Sequence, residues 1–248
     1  MRQLFNGGNF AGWYSWLGDT KREDPRKVFS ISNGVIRISG DGLGYLATSN
    51  EFRDYKLSLE FKWGRRNTRW GDRIGKARDS GVFLHAIGPD GNSDDGDGAF
   101  MAAIESNIFQ GATGDFLLIR GRDKEGAPIF PHVTFEAGAR DADGWLWWKP
   151  GGVRSKVERW GRVNWRSKSA TWKDELDFRG PRDVEKPYGE WNRMEITCDG
   201  ARMAVVLNRT KVNEALEVWP SSGKILLQCE GSEIFFRRIE LTSLHSPP

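Results

Sequence analysis

The sequence predicts an all-β protein built as an antiparallel two-sheet sandwich. Short segments in which apolar and polar residues alternate recur along the whole 248-residue chain, and turns rich in Gly, Asn-Gly and Asp-Gly separate them. No segment places apolar residues at the 3.6-residue spacing of a helix, and no internal repeat is present. Because sandwiches of this length commonly form one unit, we expect a single domain over residues 1–248.

The N-terminal half contains the clearest strand signals. Phe29–Ser32 and Val35–Ser39 flank Asn33-Gly34, a pair that favours a type I′ hairpin because both turn positions must adopt positive φ. Tyr55–Trp63 alternates apolar and polar residues, which is typical of an antiparallel strand with one buried face. The remaining strands are predicted towards the C-terminus, at residues 194–198, 202–207, 224–230 and 234–241.

Two central strands, at residues 80–85 and 102–109, carry the candidate functional residues. Alternation places two isoleucines of the second strand on one face and Glu105 and Asn107 on the other. The same alternation along the first strand places His85 on the polar face. We therefore expect an imidazole, a carboxylate and an amide to lie together on a rigid sheet, opposite its core-facing side.

The overall charge argues against nucleic acid as a partner. The chain has 37 Lys and Arg against 34 Asp and Glu, a net charge of +3, which is too even to attract a polyanion by itself. No apolar run approaches the about 20 residues that a membrane-spanning helix needs. Cys198 and Cys229 lie near the ends of predicted strands, where they form either a disulfide or two buried free thiols.

Residues 140–182 differ in composition from the rest of the chain. They contain six of the 12 tryptophans and 11 basic residues, without a steady strand or helix period. We expect a long irregular loop over the rim of the sheet that the tryptophans keep ordered. Basic residues between aromatic ones suit single-stranded nucleic acid, whereas a wall that binds sugar rings explains the same composition.

An acidic stretch at residues 89–98 begins with the spacing of a calcium-binding loop. The sixth place is Asp95 where such a loop has glycine, and the closing place is Met101 instead of glutamate. We interpret the stretch first as a turn-rich acidic loop and second as an irregular calcium site.

Motifs along nearly the whole chain resemble the 3-keto-disaccharide hydrolase domain family. The family usually has Ile-Glu-Cys-Gln-Ile where this chain has Ile104-Glu105-Ser106-Asn107-Ile108, so Asn107 keeps the amide on a side chain one methylene shorter. The matching segments are Leu4–Gly7, Gly12-Trp13, Arg78–His85, Gly88–Gly91, Ile104–Phe116, Val163–Trp165, Trp172–Asp174, Asp177–Gly180, Gly189–Asn192 and Ser222–Leu241.

The resemblance implies a concanavalin A-like jelly roll and a substrate whose sugar ring carries a ketone at carbon 3. That ketone acidifies the hydrogen on carbon 2, because the carbanion is delocalised as an enolate, so a carboxylate or imidazole can remove the proton. Elimination of the aglycone from carbon 1 breaks the glycosidic bond, and later addition of water gives net hydrolysis. The expected activity is that of a glycoside hydrolase or lyase acting on 3-keto sugars.

The resemblance also implies residue roles. Glu105 is the leading base candidate, and His85 is the acid, an alternative base or a metal ligand. Arg78 would meet the developing enolate charge. A divalent metal held by His85, Glu105 and Glu230 would do so more strongly, which makes these three the metal-ligand candidates. The expected substrate-binding residues are Asn107, Asp79, Arg78, Gln228, Glu230, Trp165 and Trp172.

Two other functions remain open at this point. A paired-carboxylate glycosidase would use Glu105 with Asp115 or Glu230. A noncatalytic carbohydrate-binding module would use the same face without turnover, because this fold also hosts lectins. The many acid–base groups favour an enzyme, and the partner is a carbohydrate in each case. Because family members are often exported, we expect a periplasmic or extracellular protein whose leader peptide has been removed ahead of Met1.

Overall fold

The computed structural model describes residues 2–94, 98–158 and 160–245. Within these residues the chain forms 21 strands and one short 3₁₀ helix, Trp70–Asp72. Strands β1 to β11 are Arg2–Gln3, Trp13–Leu17, Phe29–Ser32, Val35–Ile38, Leu43–Thr48, Tyr55–Asn67, Asp79–Ile87, Ala102–Phe109, Phe116–Ile119, Gly121–Arg122 and Pro128–Ile129. Strands β12 to β21 are His132–Arg140, Leu146–Trp148, Val153–Glu158, Arg162–Asn164, Asn192–Asp199, Arg202–Leu207, Thr210–Ala215, Glu217–Trp219, Lys224–Glu230 and Ser232–Ser243.

The strands form two large sheets, and the predicted all-β sandwich is confirmed. Sheet A has the order β18-β17-β16-β6-β21-β4-β3, with β1 added to β21. Sheet B has the order β14-β12-β13-β15-β9-β8-β7-β20-β5-β2, with β19 added to β12. Within the described residues the named strands pair antiparallel, except for the parallel pair β13 and β15. The predicted hairpin at Asn33-Gly34 joins β3 to β4, and both turn residues have positive φ.

Sheet B is covered on both faces, and this arrangement creates the site. Its inner face packs against sheet A in the main core, through residues such as Val82, Ile104 and Phe116. Its outer face carries a second apolar cluster around Phe83 and Tyr45, which residues 99–101 cover. The polar side chains of Asp79, Glu105, Asn107 and Gln228 lie on this same outer face, beside the second cluster.

The segment at residues 140–182 is more regular than the sequence predicts. Strands β13, β14 and β15 lie within it and extend sheet B by pairing with β12 and β9. The expectation of a long irregular excursion is therefore wrong for residues 146–148, 153–158 and 162–164, because sheet pairing holds the backbone of these three strands. After β15, no strand is assigned until β16 begins at Asn192.

The two cysteines lie in different sheets and do not form a disulfide. Cys198 is in β16 of sheet A and Cys229 is in β20 of sheet B, and both are buried free thiols. Burial raises the pKa of each thiol to about 12. In the described part of the chain, no helix has the length and apolar character needed to cross a membrane.

Candidate active site

The outer face of sheet B brings together side chains from three neighbouring strands. In the register of β7 with β8, Gly81 lies opposite Asn107 and Phe83 lies opposite Glu105. Residues directly opposite each other in a sheet share a face, so the carboxylate and the amide lie on the same side. The structure thus places Glu105 and Asn107 on the outer face, as the alternation predicts.

Glu105 lies over a glycine. A Cβ atom added at Gly81 would lie only 2.2 Å from Glu105 Oε1, so the carboxylate occupies the space that a larger residue would fill. The side chain of Asn107 fixes this position, because its Nδ2 donates a hydrogen bond of 2.7 Å to Glu105 Oε1. Glu105 is only 1% exposed, so it forms the floor of the site.

Asp79 is the second carboxyl group of the cluster. The same Nδ2 atom of Asn107 lies 3.2 Å from the carbonyl oxygen of Ser80 and 3.4 Å from Asp79 Oδ1, so one amide nitrogen lies between Asp79 and Glu105. Burial raises the pKa of Asp79 to about 6, although the positive charges of Arg73 and Arg162 oppose the shift. The Asp79 side chain is 14% exposed, which makes it more accessible than the floor.

Two arginines lie beside this carboxyl group. Arg73 forms a two-point ion pair with Asp174, with N–O distances of 3.1 and 3.2 Å, and its Nη1 lies 3.9 Å from Asp79 Oδ2. The guanidinium carbons of Arg73 and Arg162 lie 5.6 and 5.9 Å from the ring centre of Phe109. The site therefore contains a positively charged side as well as two carboxyl groups.

Asp115 is held in a structural network. Its carboxylate is fully buried and accepts hydrogen bonds from Arg162 at 2.7 Å, from Lys168 at 3.0 Å and from the backbone N–H of Trp165 at 2.7 Å. These contacts orient Arg162 towards the site. They also leave Asp115 without the solvent access that the partner carboxylate of a glycosidase needs to activate water.

Gln228 and Glu230 border the glycine on its other side. Leu227 pairs with Val82, so the next residue, Gln228, continues the outer face beside Gly81. Gln228 Nε2 donates a hydrogen bond of 2.6 Å to Glu230 Oε2. Within the described residues, Gln228 Oε1 is buried and has no hydrogen-bond partner, and the same is true of Asn107 Oδ1. Buried acceptors of this kind are rare and suit the hydroxyl donors of a ligand.

His85 does not belong to this face, and the prediction that it does is wrong. It has a φ of 53°, and the register of β7 shifts beside it, which is a β-bulge. The bulge turns His85 into the core, where its ring lies edge-on to Tyr55 at 5.7 Å and its Nδ1 lies 2.9 Å from the carbonyl oxygen of Pro220. Burial lowers the pKa of His85, so the imidazole stays neutral.

The predicted metal-ligand set is not assembled. Because His85 points into the core, it cannot share a metal ion with Glu105 and Glu230 on the outer face. Among the residues that the structure describes, three ligating groups come together at Asp54, Asp199 and His245, a surface group unconnected to this site. The calcium interpretation of residues 89–98 depends on residues 95–97, which lie outside the described residues.

Two further predicted site residues have structural contacts instead. Arg78 donates a hydrogen bond of 2.6 Å to Asp177 and lies over the ring of Tyr188, so its guanidinium is held by these two residues. Trp165 is buried in the main core, which contradicts its expected contact with substrate. The ring of Trp172 lies 4.9 Å from that of Phe109, and its expected contact with substrate stays a prediction.

Sequence reasoning missed Arg73, Arg162 and Asp174. Arg73 and Asp174 pair across 101 positions of sequence, and no local pattern connects them. Arg162 and Asp174 have clearer signals, because Arg162 begins β15 next to the motif Val163–Trp165 and Asp174 ends the motif Trp172–Asp174. A cavity of about 610 Å³ between Phe10 and Tyr14 is lined by none of these residues.

Comparisons with known proteins agree with this architecture. Two crystal structures of provisionally named glycosyl hydrolases from Parabacteroides distasonis ATCC 8503 are similar, both with a TM-score of 0.52. The first is 19% identical and the match covers 98% of both chains. The second is 15% identical, with 98% of this chain and 93% of the other covered. At these identities the likeness shows the fold alone.

The comparison of sequences is more specific. No curated protein matches the chain. The family of 3-keto-alpha-glucoside-1,2-lyase-like domains matches it over residues 1–242, which is nearly its full length. The chain therefore belongs to the 3-keto-alpha-glucoside-1,2-lyase-like domain family.

Proposed function

We propose that the protein cleaves the glycosidic bond of 3-keto-glycosides by removing the proton from carbon 2 and eliminating the aglycone from carbon 1. The observation that carries the proposal is the pair of carboxyl groups, Glu105 and Asp79, with one amide nitrogen of Asn107 between them. Elimination needs a base and an acid close together, and two carboxyl groups in different environments can divide these roles.

Glu105 is the base in this proposal. Its carboxylate accepts the proton of carbon 2, and the electrons of that bond delocalise onto the ketone oxygen as an enolate. The enolate then re-forms the ketone while the bond between carbon 1 and the leaving oxygen breaks. The product is an unsaturated 3-keto sugar, and addition of water across its double bond gives net hydrolysis.

Asp79 is the acid. A pKa of about 6 keeps about half of Asp79 protonated at pH 6 and about a tenth at pH 7, whereas an ordinary aspartic acid is almost fully ionised at both. The protonated carboxyl group donates its proton to the departing oxygen of the aglycone. Asp79 is also the more exposed of the two carboxyl groups, as the position next to a leaving group requires.

Arg73 and Arg162 supply the positive charge that stabilises the enolate oxygen. Both guanidinium groups lie within 6 Å of the Phe109 ring, and both lower the pKa of Asp79 through their charge. Fixed charges at a buried site stabilise a developing anion without reorganising when it forms. These two residues take the role that the sequence suggested for Arg78.

The amide side chains orient the sugar. Asn107 Oδ1 and Gln228 Oε1 flank Glu105 as buried acceptors, and hydroxyl groups of the sugar ring would donate hydrogen bonds to them. Trp172 adds an aromatic surface at the edge of the cluster. These contacts hold carbon 2 over the base.

The proposal is tested by incubating the protein with a 3-keto-disaccharide and with its unoxidised parent. We expect cleavage of the oxidised substrate only, and slower cleavage when carbon 2 carries deuterium, because the bond to that atom breaks in the reaction. Cleavage of both substrates at similar rates would instead indicate a paired-carboxylate glycosidase. Binding of the oxidised substrate without turnover would indicate a noncatalytic carbohydrate-binding module.

We also propose that the protein acts outside the cytoplasm. The support is the resemblance to a family whose members are often exported. Fractionation of the source cells followed by detection with an antibody tests this. Recovery from the periplasm or the medium would support export, and recovery with the cytoplasmic proteins would contradict it.

A further inference from the structure

A cavity of about 300 Å³ adjoins the site at Arg162. We propose that this cavity binds the aglycone of the substrate, and that the aglycone is a sugar carrying a carboxylate. The inference rests on the proposed function, because the cavity is identified as the aglycone subsite through Arg162, which lines it and also belongs to the site. The side chains that shape it include Arg140, Trp145, Lys156, Glu158, Trp160 and Arg162.

The sheet register fixes how far the cavity lies from the base. Glu105 pairs with Leu117 on β9, and Leu117 pairs with Arg162 on β15, so these three residues form one row on the outer face. Neighbouring strands lie about 4.8 Å apart, which puts the backbone of Arg162 about 10 Å from that of Glu105. A second sugar bonded to a ring that lies over Glu105 would extend along this row towards Arg162.

The charge of the cavity is positive. Arg162 gives the wall one positive charge, and the buried Asp115 carboxylate with which it pairs is not part of the lining. Arg140 and Lys156 add two more positive charges to the wall, against one negative charge from Glu158. The cavity wall therefore attracts an anion, whereas a neutral sugar has no charged group that could pair with the basic side chains.

The ion pair within the wall does not cancel this attraction. Lys156 Nζ lies 3.3 Å from Glu158 Oε2, and both side chains are about half exposed. Exposed pairs of this kind are weak, so the ammonium group can turn to a ligand carboxylate at little cost. A guanidinium and an ammonium group converging on one cavity suit a carboxylate, which accepts charge-assisted hydrogen bonds from both.

The aromatic rings in the cavity wall indicate that the ligand is a sugar and not a simple anion. Trp145 is 36% exposed and Trp160 is half-buried, and both line the cavity. The guanidinium of Arg120 lies 5.5 Å from the centre of the Trp160 ring, which fixes that ring in place. Indole rings offer a flat apolar surface to a sugar ring while the basic side chains bind its carboxylate.

The test compares two 3-keto-disaccharides that share the oxidised ring and differ in the second sugar, which is glucose in one and glucuronate in the other. We expect kcat/KM to be several-fold higher for the glucuronate compound at about 50 mM salt, and the difference to shrink at about 500 mM salt. Lys156→Gln is expected to lower the ratio of the two kcat/KM values about three- to fivefold. Lys124→Gln, which changes an exposed lysine outside the cavity, should leave the ratio unchanged.

Equal kcat/KM values for the two substrates would overturn the inference. If neither compound is cleaved, the proposed function fails, and the cavity is then tested by calorimetric binding of the two unoxidised disaccharides. Tighter binding of the glucuronate compound, weakened by Lys156→Gln, would still support an acidic-sugar site. Equal binding of both would refute it.

Discussion

Glu185→Gln is predicted to stabilise the protein at alkaline pH. Glu185 is 2% exposed, and its Oε1 accepts a hydrogen bond of 2.5 Å from Trp63 Nε1. Its Oε2 lies 2.7 Å from Thr113 Oγ1, and Thr113 also donates to the carbonyl oxygen of Phe109. A protonated Glu185 satisfies all of these groups, because its hydroxyl can donate to Thr113 while Thr113 donates to Phe109.

Burial raises the pKa of Glu185 from 4.5 to about 7. Because the pKa of Glu185 is raised in the folded state, the protonated side chain stabilises the fold fully when the pH is below the pKa of glutamate in the unfolded chain. This stabilisation is lost as the pH rises through about 7. The full shift corresponds to about 3 kcal/mol. Because buried sites relax on ionisation, we expect a loss of about 1–3 kcal/mol in the wild-type protein at alkaline pH.

Glutamine reproduces the protonated side chain, since its amide group can donate to Thr113 and its oxygen can accept from Trp63. The variant should therefore lack this loss. At about pH 8.5 its free energy of unfolding should exceed that of the wild-type protein by about 1–3 kcal/mol, which corresponds to a Tm higher by about 2–10 °C. At about pH 4.5 the two proteins should be similar in stability.

The assay is urea unfolding followed by tryptophan fluorescence at several pH values. Glu190→Gln, a change of an exposed glutamate on the same segment, serves as the control and should show no pH-dependent difference from the wild-type protein. A Glu185→Gln variant that is less stable than the wild-type protein at alkaline pH would refute the reasoning. It would show that the ionised carboxylate is the favourable form in the fold.

Two further predictions concern catalysis. Gly81→Ala should lower kcat at least about tenfold, because the new Cβ would meet the carboxylate of Glu105, whereas Gly8→Ala, where only ordinary contacts exist, should have no effect. Turnover of the wild-type protein should fall as the pH rises through about 6, because Asp79 loses its proton. Asp79→Asn should remove that pH dependence and lower kcat about 10²- to 10⁴-fold, and an unchanged pH profile would exclude Asp79 as the acid.

The sequence pattern was sufficient to place Glu105 and Asn107. Both belong to a strand with regular alternation, and Ile104 and Ile108, which flank them, must face the core, so the period of two determines their side. The hairpin at Asn33-Gly34 was predictable for a similar reason, because its two residues tolerate the positive φ that the turn requires. Local rules suffice where local geometry decides the outcome.

The same period failed for His85 because a β-bulge interrupts it. One extra residue in β7 moves every later side chain to the opposite face of the sheet. His85 adopts a positive φ, and no neighbouring residue in the sequence predicts it. The strand continues with Ala86 on the outer face, opposite Lys224. A pattern of alternation cannot reveal the position of a bulge when both faces of the strand are buried.

Long-range pairing explains the other differences. Arg73 and Arg78 lie close together in the sequence, yet their side chains have different partners. Arg78 pairs with Asp177 and Arg73 lies beside Asp79, because the fold brings different segments to each of them. The Trp-rich composition around Trp165 suggested a ligand-binding residue, but Trp165 follows β15 directly and is buried in the core. Tertiary packing decides between such neighbours, and sequence patterns do not contain that information.

The most direct test of the proposed chemistry is the turnover of a 3-keto-disaccharide by Glu105→Gln. The substitution preserves the size of the side chain but removes the basic oxygen that accepts the carbon 2 proton, so kcat should fall about 10²- to 10⁴-fold while substrate binding is largely retained. Glu51→Gln, a change of an exposed glutamate, serves as the matched control. Exchange of the carbon 2 hydrogen with deuterated water should disappear together with cleavage. Unchanged turnover in the Glu105→Gln variant would contradict the account, because it would mean that Glu105 has only a structural role in the sheet.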